Sequence, residues 1–66
     1  MNDADLHARA VRKLEQDRQV ALGWVKMYQH EATEDQAQAA YWSTHAKEAA
    51  IRAAVCEYAL RKLGGE

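Results

Sequence analysis

The sequence predicts an all-α protein, an antiparallel αα-hairpin that pairs with a second copy into a four-helix bundle. Three observations carry this expectation. The chain has no proline and only three glycines in 66 residues, which removes most turn and strand signals. Alanine, glutamate, glutamine, lysine, arginine and leucine dominate it, and all are strong helix formers. The second half carries two apolar stripes at helical spacing, and one hairpin offers only one other helix to cover them.

Helix one is expected over about 3–30. Asn2 or Asp3 supplies a side-chain oxygen to cap its first turn. Leu6, Ala10, Val11, Leu14, Ala21, Trp24, Val25, Tyr28 and Ala32 recur at helical period and form its core stripe. A turn is expected at about 31–33, because Thr33, Glu34, Asp35 and Gln36 have the form of a capping box. In that arrangement the Thr33 hydroxyl meets the Gln36 amide, and Glu34 and Asp35 oppose the positive end of the next helix dipole. Helix two then runs over about 34–63, with Gly64 in the left-handed conformation that ends a helix. Arg61 and Lys62 suit that C-terminus. A turn placed there makes residues whose numbers sum to about 64 face one another across antiparallel helices.

The first stripe of helix two is Ala39, Trp42, Ala46, Ala49, Ala53, Cys56, Leu60 and Leu63. The second is Ala37, Tyr41, Thr44, Glu48, Ile51, Val55 and Tyr58. One stripe is expected to pack on helix one and the other on a second molecule; either assignment fits the spacing. The alanines of the first allow another helix to approach at the short end of the usual separation.

Size points the same way. A chain this short buries only roughly 60% of its unfolded surface, and oligomerisation commonly makes up the deficit. Cys56 is the only cysteine, so no internal disulfide contributes, and a lone thiol in a seam fits a reducing cytoplasm. The start of the chain is acidic and does not read as a secretory signal. No apolar run approaches the ~20 residues that span a bilayer. Nine Lys and Arg balance ten Asp and Glu, which argues against a protein devoted to non-specific nucleic-acid binding.

Three groups of residues are candidates for function. On the outward face of helix one, Val20, Gly23, Trp24 and Met27 form a patch with a glycine where helix propensity disfavours it. Close approach of another protein explains such a glycine, and Trp24 and Met27 then serve as anchors. On the same face nearer the N-terminus, Arg9, Arg12, Lys13 and Gln16 form a basic, amide-rich strip that RNA would recognise. Third, the pairing rule puts Asp17 at the height of His45 and Glu48. Two copies in an antiparallel dimer would gather four carboxylates and two imidazoles, a set of the kind bundles use to hold metals. The plainer alternative there is an ion-pair layer of Asp17 or Glu48 with Arg18 or Arg52. Trp24, Tyr28, Tyr41 and Trp42 gather at the turn end, as core or as a binding patch. His7 and His30 read as exposed polar residues. No phosphate-binding glycine loop or nucleophile–base pair is present, and Cys56 buried in a seam would be inert.

The acidic turn Thr33, Glu34, Asp35, Gln36 and Ala37, the short hairpin and the basic strip on helix one resemble the Rop-type RNA-binding regulators of plasmid copy number. That resemblance implies a homodimeric four-helix bundle with RNA on the helix-one faces. The reading preferred from the residues is a small, cofactor-free, non-enzymatic dimer. It docks a protein partner through Val20, Gly23, Trp24 and Met27, as phage or mobile-element regulators and inhibitors do. Rop-like RNA binding and a metal-binding bundle are the alternatives.

Overall fold

A computed structural model describes residues 1–65. Two helices pack side by side as an antiparallel hairpin: α1 (Asp3–Glu34) and α2 (Ala39–Leu63), joined through Asp35 and a short 3₁₀ turn (Gln36–Gln38). No strand occurs among the described residues.

Asn2 is the cap of α1, its side-chain oxygen accepting from the Asp5 amide at 2.9 Å. The helix then continues past the expected turn. Thr33 does not cap α2; its hydroxyl donates back to the His30 carbonyl at 2.7 Å, as hydroxyls inside helices do. The Gln36 side chain donates to the Thr33 carbonyl at 3.1 Å, so the expected capping box is absent. Glu31 to Glu34 contain no breaker, and α1 stops only at Asp35, where φ −118° and ψ 79° leave the helical region. The Asp35 amide closes the last turn on the Glu31 carbonyl at 2.8 Å. Its carboxylate accepts the Trp42 indole N–H at 3.2 Å, tying the bend to the first turn of α2. Glu34 therefore sits at the C-terminal end of α1, the unfavourable end for its charge, rather than at the start of α2.

At the other end, Gly64 caps α2 with φ −80°, and its amide reaches the Leu60 and Arg61 carbonyls at 3.0 and 3.1 Å. The left-handed residue is Gly65, at φ 90°. Gly64 keeps a right-handed conformation because its amide still continues the helical hydrogen bonding, which defers the reversal by one residue.

Moving the turn to 35–38 resets which residues face each other. Tyr28 faces His45, with ring centroids 5.2 Å apart, and Arg18 reaches Glu57 at 3.9 Å, so facing pairs sum to about 73–75 rather than 64. Leu6, expected in the core, is 52% exposed, because at this register it lies beyond the end of α2.

The spacing left two possible packing stripes on α2, and one of them lines the hairpin. Ala46, Ala49, Ala53 and Cys56 are buried, and Ala39, Trp42, Leu60 and Leu63 are half-buried beside them. Every member of the other stripe is exposed, Ile51, Val55 and Tyr58 by more than half. With Ala21 of α1, those three alanines and one cysteine make up the buried core among the described residues, where no side chain larger than cysteine is buried. The hairpin measures 52 × 20 × 11 Å, one helix diameter thick. Its radius of gyration is 15.3 Å, against about 11 Å for a compact chain of this length.

Candidate functional site

A slab one helix thick has two broad faces, and one of them is hollowed into an open groove of about 610 Å³. From α1 its lining takes Asp17, Val20, Ala21, Trp24 and Tyr28; from α2 it takes His45, Glu48, Ala49, Ile51, Arg52, Val55 and Cys56. Small residues make the floor. Ala21, Ala49 and Cys56 are buried where the helices meet, while Val20 and Trp24 on one side and Ile51 and Val55 on the other stand up 44–61% exposed. The exposed stripe of α2 and part of the α1 patch thus belong to one surface. The sequence presented them as two separate features because helical spacing does not tell which neighbouring helix borders which edge.

The α1 patch divides accordingly. Val20 and Trp24 line the groove; Gly23 and Met27 do not, and they remain exposed on the outer side of α1. A Cβ on Gly23 would meet nothing within 4 Å, so the hairpin itself has no need of a glycine there.

Aromatic rings close the groove at the turn end. Trp24 stacks on Tyr28 at 5.6 Å, Tyr28 on Trp42 at 6.0 Å, and Tyr41 meets both Trp42 and His45 edge-on. Tyr28 and Trp42 are half-buried, whereas Trp24 and Tyr41 are exposed. The cluster is therefore core on its inner side and surface on its outer side.

The metal set does not assemble within the chain. Asp17 pairs with Lys13 one turn away at 3.0 Å, and His45 approaches only Glu48, at 4.0 Å. The register explains the separation. Asp17 lies at the level of Cys56, so His45 and Glu48 are displaced by about 12–16 Å along α2. No cluster of three potential ligands exists among the described residues. Adding zinc, iron or manganese, or removing them with a chelator, is expected to leave the thermal melting midpoint of the purified protein unchanged.

Among the described residues the expected ion-pair layer is replaced by a single link across the helices, Arg18 with Glu57 at 3.9 Å. Both side chains are more than a third exposed or close to it, so the pair contributes at most about 1 kcal/mol. Arg18 was a candidate; Glu57 was missed because the misplaced turn set it opposite the wrong part of α1.

Arg9, Arg12, Lys13 and Gln16 are all exposed. The strip is diluted by acids: Lys13 is engaged by Asp17, and Asp5 shares a shallow hollow with Arg9 and Arg12. His7 and His30 are exposed, the latter 3.9 Å from Glu34. Cys56 is buried and free. Among the described residues no helix is long and apolar enough to cross a membrane.

No protein-family model, curated protein or solved structure matches this chain.

Proposed function

We propose that this chain is a small non-enzymatic helical binding protein, a homodimer of the cytoplasm that regulates or inhibits a protein partner docked on the outer side of α1. The observation that carries this reading is the distribution of apolar side chains. Among the described residues only alanines and one cysteine are buried, while Val20, Trp24, Met27, Ile51, Val55 and Tyr58 are all at least 40% exposed. Solvated apolar surface on this scale marks interaction sites in soluble proteins. Gly23 adds to it, since a helix-weakening residue without an internal packing reason is accounted for by a close external neighbour.

RNA binding through Arg9, Arg12, Lys13 and Gln16 gains less support, because the strip carries its own neutralising carboxylates and the chain has a net charge of −1.

Native mass spectrometry of untagged protein taken gently from its own host tests the reading, with wild type and Gly23→Gln compared. Wild type is expected to carry polypeptide mass beyond copies of its own 7.5 kDa chain, and the variant to lose that extra mass. Open space at Gly23 and a better helix former there mean that helicity by circular dichroism is kept or raised. Nucleic-acid mass, metal mass, or a foreign polypeptide retained by Gly23→Gln sinks the proposal.

A further inference from the structure

We infer that the groove's occupant is a second copy of this chain, two hairpins stacking groove to groove into a four-helix bundle. The inference rests on the binding-protein reading and assigns the self-interface to one face of the slab.

Area is the first argument. The hairpin exposes 5078 Å², whereas a compact monomer of 7.5 kDa exposes about 4250 Å². The excess, roughly 800 Å², is close to what each partner contributes to a stable interface of standard size. Layering is the second. Domains enclose their cores between at least two layers, and this hairpin is one layer 11 Å thick. Stacking a copy on the groove supplies the missing layer, with Val20, Trp24, Ile51 and Val55 as the side chains that fill it.

Charge then favours a copy over a foreign partner. In a two-fold interface the same patch meets itself, so a patch of strong net charge repels its copy. Around this groove Asp17 is neutralised by Lys13, and Glu48 and Arg52 carry opposite signs one turn apart. The face is close to neutral, as self-association needs, and gives no purchase for a basic or acidic ligand. A second hollow, between the far ends of the helices, has only Val11 and Leu60 as large apolar side chains in its lining.

Sedimentation equilibrium on the purified chain tests this. Wild type is expected at twice the 7.5 kDa monomer. Ile51→Lys and Val55→Lys, each placing a charge in the groove, are expected to weaken dimerisation about 30-fold or more, the effect of losing one interface anchor. Leu22→Lys, outside the groove lining, is expected to leave it unchanged. Removing the copy also removes its stabilisation, so isotope-filtered NMR on mixed labelled and unlabelled wild type gives an independent readout. Contacts between chains are expected at Val20, Trp24, Ile51 and Val55. A wild-type monomer, a dimer indifferent to the groove lysines, or between-chain contacts elsewhere overturns the inference. A wild-type monomer would also remove the homodimer from the functional reading. None of these outcomes bears on whether Gly23→Gln loses a separate protein partner, so docking of that partner fails or stands on its own test.

Discussion

Ala53→Leu is expected to lower the melting midpoint by roughly 10–20 °C, or to leave the chain unfolded, when followed by circular dichroism. Ala53 is only 3% exposed, in a row with Ala46 and Ala49 that faces Ala21. Helices that meet through alanines approach at the short end of the 8–10 Å range, with no space for three further carbons. Forcing extra methylenes into such a contact costs about 1–3 kcal/mol in strain and backbone displacement. For a small domain of marginal stability that is a large share of the total. The control is Ala50→Leu. Ala50 lies on the same helix but is exposed, and leucine and alanine are both strong helix formers, so little change is expected. Equal melting of the two variants would show that the alanine row does not hold the helices together.

That alanine row was readable from spacing alone, because alternating steps of three and four keep Ala39 to Leu63 on one line of a helix whatever lies opposite. The bend was not. Thr33, Glu34, Asp35 and Gln36 serve equally as a capping box or as the last turn of a continuing helix, and local propensity is nearly neutral between them. In the structure the Asp35 carboxylate meets the Trp42 indole, seven residues on, instead of an α2 amide. One misplaced turn then propagated, since shifting the bend by a few residues moves every facing pair by twice as much. Asp17 lost His45 and Glu48 by that mechanism, and Glu57 became the partner of Arg18. The candidate site fared likewise. Val20 read as an outward apolar residue, Trp24 was shared between core stripe and patch, and Ile51 and Val55 lay on one of two interchangeable stripes. Their convergence on one groove depends on how the two helices are rotated against each other. A single helical wheel does not contain that rotation.

Trp42→Ala should be the most damaging change outside the alanine row, and its parts are separable. The indole stacks on Tyr28 at 6.0 Å, meets Tyr41 edge-on at 5.0 Å, and donates to Asp35 at 3.2 Å. Truncating a fully buried tryptophan costs about 3–5 kcal/mol; this one is half-buried, which brings the expectation to about 2–3 kcal/mol. Trp42→Phe keeps a ring for Tyr28 but removes the N–H, and is expected to cost about 1.5 kcal/mol, the low end for a hydrogen bond to a charged group because this one is only partly buried. Asp35→Ala removes the same bond from the other side. If that bond sets the bend, the double variant loses little more than either single one, and chemical denaturation of the four proteins measures the coupling directly. Additive losses would instead assign the bend to the backbone of Asp35 and the 3₁₀ turn. The register of the hairpin, and with it the groove, would then be set by the chain path rather than by the staple across it.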